Sequence, residues 1–342
     1  MKSRNSVQRI TYARRPGRFI RPLILLLSLL AFLLIGGVSW TFIAADQVMR
    51  RASEPLQSIS SNVMPDFSVV NFPSLDNQTQ LYGWYIRTTQ EPLSTIILVH
   101  DQGRTRLQFG LDTPRLYRFL TDLGFNVLSF DLRHSGQSDG ALSGYGYAEW
   151  ADVVAAIRFA RQHAPTRDVL LYGFGTGVSA ALLAWDSLPG PNDDRAEWPK
   201  AVRDLDFDQS YVIGLLLDAP GLSPDNTIRA LYSEENWLSR LVLARTVPYA
   251  IRMSAGSSRQ INNSVVLGDC HIPVHLVHYR EDTLIGPASD TVVRERLRLH
   301  PDLTLVTTVS TPGHANGLLS EPENYLAGLE QFLSRYFRPA GS

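Results

Sequence analysis

The run Val169–Leu182 carries the clearest chemical signal in the sequence. It reads VLLYGFGTGVSAAL: a short apolar strand, a glycine-rich turn, and a helix start built from small residues. Gly173 and Gly177 hold the flanking positions of a G-x-S-x-G turn, in which a tight strand-to-helix bend lifts the central side chain above a sheet. The central residue here is Gly175. Glycine adopts the positive φ of such a turn without a Cβ penalty, so the bend should survive while the attacking hydroxyl is lost. Losing that hydroxyl costs roughly six orders of magnitude in rate, which ends ordinary serine-hydrolase turnover. Thr176 and Ser179 are the nearest substitute nucleophiles. The first should point away from the turn and the second should lie one helical turn inward, so structural roles are expected for both.

Other polar groups have plainer readings. Asp218 follows the apolar run Val212–Leu217 and is either a second acid or a strand-end turn residue. His134 and Ser135 sit in a loop and should bond to backbone. His271, His275 and His278 are close in sequence, yet alternation along a strand turns His275 and His278 to opposite faces, so no metal site is expected. Cys270 is the only cysteine, which excludes an intramolecular disulfide and a cysteine cluster for zinc or iron. No cofactor is expected. A formal net charge of −1, with no basic stripe beyond the first residues, argues against a nucleic-acid partner.

The elements that must position these residues alternate. Eight short apolar runs end in turn residues: Phe67–Phe72, Leu81–Ile86, Thr95–His100, Asn126–Phe130, Val169–Tyr172, Val212–Leu217, Val274–Tyr279 and Leu303–Val309. Segments with helical spacing lie between several of them, such as Trp150, Val153, Val154, Ile157 and Ala160. The alternation predicts an α/β fold with a mostly parallel eight-stranded sheet covered on both faces. Residues 222–267 interrupt it as a small helical cap, and Pro189–Ser210 reads as a solvated surface excursion.

The N-terminus has a different character. Lys2, Arg4, Arg9, Arg14, Arg15, Arg18 and Arg21 precede Pro22 with no acid among them, and Pro22–Ala45 carries no charge. Residues 1–21 therefore read as a basic cytoplasmic tail, 22–45 as a single transmembrane helix in the lipid bilayer, 46–65 as a polar stalk, and 66–338 as the folded domain. A cleaved signal peptide is the rival reading, but the apolar run is long and Ile43 stands where a small residue is wanted. The positive-inside rule places the domain on the extracytoplasmic side.

In order along the chain, several pieces resemble the α/β-hydrolase superfamily, in particular its esterase-like and serine-aminopeptidase-like members with a small cap. Ile96–Gly103 is similar to the strand and oxyanion turn, Asp131–Ser138 resembles the D-x-R-x-x-G-x-S segment, and Gly173–Gly177 resembles the nucleophile elbow. His278-Tyr279-Arg280-Glu281-Asp282 is similar to the strand end H-G-x-x-D, and Pro312-Gly313-His314 precedes the closing helix where the catalytic histidine resides. The resemblance implies that Asp282 and His314 are the acid and base of a triad whose nucleophile position is Gly175. It also implies that the oxyanion donors are the amide of Thr176 and an amide just after His100, where Asp101 replaces a glycine. A carboxylate there opposes a developing negative charge unless it points away. The expected function is thus a membrane-anchored hydrolase-like module that binds a partner or a small hydrophobic or acyl ligand. The alternative is a hydrolase of esters or amides in which His314 and Asp282 activate water or the substrate. A roomy pocket at Gly175 with Asp282 and His314 within hydrogen-bond reach below it would keep both a binding site and a residual enzyme open, and side chains filling that space would favour a scaffold.

Overall fold

The computed structural model describes residues 20–60, 62–257 and 260–338. A single eight-stranded sheet forms the centre, built from β1 (Phe67–Pro73), β2 (Gln80–Ile86), β3 (Ser94–Val99), β4 (Phe125–Phe130), β5 (Val169–Phe174), β6 (Val212–Asp218), β7 (Val274–Tyr279) and β8 (Thr304–Val309). Their order is β1-β2-β4-β3-β5-β6-β7-β8. Strands β1, β2 and β4 pair antiparallel, and every pairing from β4 through β8 is parallel. The eight apolar runs of the sequence are these eight strands. β3, β4 and β5 are buried along their whole length, as strands covered on both faces must be.

Helices α2 (Thr113–Asp122), α3 (Trp150–His163), α4 (Thr176–Asp186), α9 (Ala288–Leu299) and α11 (Pro322–Phe337) supply the covering layers. On one face Val153, Val154, Ile157, Val178, Leu182 and Val292 pack against the sheet. On the other, Leu116, Tyr117, Leu120, Leu329, Phe332 and Leu333 do so. The short helices α5 (Lys200–Arg203) and α10 (Gly317–Ser320) fill loops. The stretch Pro189–Ser210, expected to be a solvated excursion, instead buries Val202, Leu205 and Phe207. Those three apolar residues are too few to give a periodic signal, which is why composition alone misleads there.

Between β6 and β7 lies the cap, made of α6 (Pro224–Ala230), α7 (Trp237–Ser254) and α8 (Asn263–Asp269). The N-terminal helix α1 runs from Ile20 to Met49 without a break, and among the described residues it is the one helix long and apolar enough to cross a membrane. Its last turns do not stand free. Ala44, Ala45, Val48 and Met49 are buried in a cluster with Tyr145, Ile228, Leu243, Val247 and Ile251 of the domain. The segment read as a stalk likewise lies on the domain, with Leu56 and Ile59 half-buried beside the core and Met64 buried within it. Burying apolar side chains that a solvated stalk would leave in water accounts for the difference.

Candidate active site

Strand β5 delivers the elbow, and its backbone has the shape the motif requires. Gly175 adopts φ 51°, ψ −112° between the strand and α4, and its amide donates to the carbonyl of Asp218 at 2.9 Å. The space at Gly177 is closed by backbone, since an added Cβ would collide with the carbonyls of Val99 and His100. β5 and β3 therefore press together at the turn, and the loop after β3 is carried directly over Gly175.

That loop places Asp101 in the elbow. A Cβ built on Gly175 would lie 2.6 Å from Asp101 Oδ2 and nearer still to its Cγ and Oδ1. The Asp101 carboxylate thus occupies the volume in which a nucleophile's side chain would begin. Its Oδ1 accepts three hydrogen bonds, from the amide of Gln102 at 2.7 Å, the amide of Thr176 at 2.8 Å and the hydroxyl of Thr176 at 2.9 Å. Two converging backbone amides are the donor pattern that stabilises an acyl-transfer oxyanion, and here a carboxylate of the same chain holds both. Asp101 and Thr176, both named from the sequence, meet at this corner, and the second donor is expected from the sequence only as an amide just after His100. The amide immediately after it, that of Asp101, is turned away and donates to Gln108 Oε1 at 2.8 Å; Gln102 is the donor that converges with Thr176. Neither Gln102 nor Gln108 carries a sequence signal, because their roles depend on the path of the loop.

His100 has a supporting place. Its Nδ1 faces the carbonyl of Asp101 at 2.7 Å and its Nε2 accepts from the amide of Leu132 at 2.9 Å, so the ring ties the β3 loop to the end of β4. Burial pushes its pKa down, against the fields of Asp131, Asp101 and Glu149, so it serves as a neutral strut. Behind Thr176, His100, Gln102, Ser143 and Glu149 enclose a cavity of about 10 Å³, room for one water at most.

Asp282 and His314 meet on the opposite side. His314 Nδ1 lies 2.8 Å from Asp282 Oδ2 and 3.0 Å from Oδ1. The loops that carry them are laced together by a bridge between Asp282 and Gly313, with Thr283 donating to Gly313 at 3.2 Å and Gly313 donating to Glu281 at 3.1 Å. Asp282 Oδ1 also accepts the amides of Leu284 and Ile285 at 2.9 and 2.8 Å, which caps the turn after β7. His314 Nε2 is buried, makes no hydrogen bond among the described residues, and lies 3.9 Å from Asp101 Oδ2. Burial would push the imidazolium down, but the Asp282 hydrogen bond and the charges of Asp101, Asp282 and Asp218 outweigh it and hold its pKa above the ordinary histidine value. The structure therefore brings Asp101, Gly175, Thr176, Asp282 and His314 to one corner.

Asp218, the other candidate acid, is fully buried beneath this corner. Tyr279 and Tyr325 donate to its two oxygens at 2.9 and 2.6 Å, and Tyr172 bonds Tyr325 at 2.5 Å. Burial pushes its carboxyl up to about 7, against the two tyrosine hydrogen bonds and His314, while Asp101 adds to the rise. His275 faces Thr307 and Phe332 in the core, and His278 contacts Ser289 and Asp290. These histidines point apart, and among the described residues no group of three or more His, Cys, Asp or Glu could hold a metal. Ser179 accepts from Asn263 at 3.0 Å inside the cap junction, remote in role from the elbow. Larger cavities lie elsewhere: about 500 Å³ beside Trp150, Trp198 and Ile261, about 640 Å³ between α1 and α7, and about 620 Å³ beside Trp237, Arg240 and Arg245. None of these three is lined by Gly175, Asp101, Asp282 or His314.

The sheet order, the elbow between β5 and α4, and the acid and histidine loops after β7 and β8 define an α/β-hydrolase fold. Among solved structures, the chain is similar to the Pyrococcus furiosus esterase Pf2001, with a TM-score of 0.63 and 18% identity over 84% of this chain and 100% of that one. The acylaminoacyl peptidase of Pyrococcus horikoshii aligns with a TM-score of 0.54 and 12% identity, covering 81% of this chain and 42% of the peptidase. In sequence, it is 29% identical over 102 residues to the zebrafish lysophosphatidylserine lipase ABHD12, covering 29% of this chain and 26% of the lipase. It is 24% identical over 220 residues to the uncharacterized protein YqkD of Bacillus subtilis, covering 63% of this chain and 64% of YqkD. The chain thus spans less than two thirds of either curated relative it matches. No family model matches it.

Proposed function

We propose that this chain is a membrane-tethered α/β-hydrolase-fold protein whose acyl-transfer site is closed by its own carboxylate, and that it serves as a binding or interaction module. The observation that carries this reading is the seat of Asp101: one carboxylate oxygen on the two oxyanion amides, the other within 4 Å of His314 Nε2. An anion already held in the oxyanion site repels a second one and leaves a substrate carbonyl no donors. Gly175 and Asp101 depend on each other, because a Cβ at 175 and a carboxylate at 101 claim the same space. Tethering is supported by the apolar length of α1 and by its buried contacts with the cap, which a cleaved signal sequence would forfeit. The basic residues before Pro22 favour a cytoplasmic N-terminus and a domain across the membrane, which protease protection in sealed vesicles tests.

The second reading, a hydrolase in which Asp282 and His314 activate water or the substrate, is favoured by the free Nε2 of His314 and by neighbours named as esterase, peptidase and lipase. Ester hydrolysis by the full chain separates the two. Under the first reading the natural protein is silent on activated esters, and Gly175→Ser alone stays silent because Asp101 blocks the new side chain. Gly175→Ser with Asp101→Gly turns over, and adding His314→Ala to that pair silences it again. Turnover by the natural protein that His314→Ala abolishes would overturn the first reading in favour of the second.

A further inference from the structure

Helix α7 carries a surface that the hydrolase scaffold leaves unused. One side buries Leu243, Val247, Ala250 and Ile251 against the end of α1, and Thr246 Oγ1 meets Thr41 Oγ1 at 2.9 Å. The other side is bare: Leu238, Leu241, Tyr249 and Met253 are 43%, 50%, 56% and 51% exposed. These four recur with Arg245 at intervals of three or four residues, so they form one stripe along the helix. The helix holds Arg240, Arg245 and Arg252 and no acid. Arg252 pairs with Asp225 at 3.2 Å, whereas Arg240 and Arg245 have no carboxylate within 4 Å among the described residues.

Beside the stripe, Leu34, Val38 and Phe42 of α1 and Val242, Arg245 and Tyr249 of α7 wall a groove of about 640 Å³, a volume in the usual range for an apolar ligand site. We propose that this groove holds one anionic glycerophospholipid of the bilayer, an acyl chain lying along Leu34, Val38 and Phe42 and the headgroup phosphate meeting the Arg245 guanidinium. The inference rests on the reading of α1 as a membrane span. About 20 residues cross the hydrocarbon, so a span entered at Pro22 leaves it near Thr41. Leu34 and Val38 then stand at acyl-chain depth, and the wall they form continues the lipid-facing surface of α1. Arg245 can extend along that wall to the headgroup level, where a guanidinium with no protein carboxylate selects a phosphate. Unopposed positive charge on α7 favours an anionic headgroup over a zwitterionic one.

The test uses the full chain in nanodiscs of about three parts phosphatidylcholine to one part phosphatidylglycerol, with the lipids retained by the protein weighed by native mass spectrometry. The ratio of phosphatidylglycerol to phosphatidylcholine retained should be roughly fivefold that of the disc, the preference expected for one arginine at an anionic surface. Arg245→Glu should return the ratio to that of the disc at an unchanged melting temperature, and Arg245→Lys should keep most of the preference. Retention in the bulk ratio by the natural protein, or an equal preference in Arg245→Glu, overturns the proposal. So does a disulfide between copies of a Val38→Cys variant at high yield, which would assign the groove to a second chain. Alkaline extraction from vesicles distinguishes the two failures: release of the chain overturns the span itself, whereas an embedded chain with no lipid preference overturns the groove alone.

Discussion

The two halves of the candidate site differ in how they are filled. At the elbow, both the side chain that would attack and the donors that would steady an oxyanion are altered or occupied, through Gly175 and Asp101. Across the corner, the Asp282–His314 pair keeps the contact expected of an acid and base. The difference has a structural cause. Asp282 caps its own turn through the amides of Leu284 and Ile285 and sits where the β7 and β8 loops are laced, so its carboxylate supports the fold whether or not it supports chemistry. No comparable constraint retains a hydroxyl at the elbow, where glycine fits the left-handed φ at least as well. The acid–histidine pair therefore fits both proposed readings, since Asp282 has a structural role in either.

The sharpest way to break the contrast is to rebuild the altered half. The Gly175→Ser, Asp101→Gly pair should hydrolyse activated esters on the order of 10³-fold above the natural protein, with each single change near background. A single Gly175→Ser that matches the pair would show that Asp101 swings away freely.

Stability should sort the halves in the opposite direction. Asp282→Ala leaves buried amides and an imidazole unpaired and should cost about 3 kcal/mol in urea unfolding, while Asp101→Ala, at a corner water can reach, should cost about 1 kcal/mol. Equal costs would remove the structural explanation for the retained pair.

Two titrations sharpen the comparison further. The folded state binds the Asp218 proton more tightly than the unfolded chain does, with a pKa of about 7 against 3.8, so this group's contribution to stability is full at low pH and falls as pH rises between those values. Urea midpoints across that range should decline for the natural protein and flatten for Asp218→Asn. His314, raised above its ordinary value, contributes in the same sense: its share is present below about pH 6.5 and lost as pH climbs through the folded pKa. The smallest effect is on His314 itself. Asp101→Asn should lower its pKa in an NMR titration, because Asp101 supplies part of the field that holds the proton; no change would mean that the 3.9 Å approach is screened.

The sequence reveals some of these features far better than others. Each of the eight strands is visible because its apolar run ends at a turn residue, and the elbow is visible because the spacing of Gly173 and Gly177 reports a local backbone shape. The closure by Asp101 is not visible, because Asp101 and Gly175 are 74 residues apart and meet only through the pairing of β3 with β5. A turn aspartate that bonds its own neighbour and one that fills another element's site look identical in sequence. Asp101 does both, accepting the amides of Gln102 and Thr176. The seat of α1 on the cap is hidden for a related reason. Ala44 and Ala45 read as the tail of an apolar run and Val48 as part of a polar stalk, and only the partner surface on α7 turns them into an interface.

The unbroken course of α1 has a mechanical consequence. A helix advances about 1.5 Å and turns about 100° per residue, so on the proposed reading of α1 as a membrane span, a rod that passes from Ile20 to Met49 and then locks onto α7 fixes both the height and the compass bearing of the domain relative to the bilayer. Inserting one alanine between Gly36 and Gly37, where an added Cβ meets no atom within 4 Å, would leave the buried contacts of Thr41–Met49 in place, carry Leu34 out of the groove wall, and swing the whole body by about 100° relative to the segment below. On that reading, the same rod would convert a change in bilayer thickness, met by tilting, into a lean of the domain toward or away from the lipid surface.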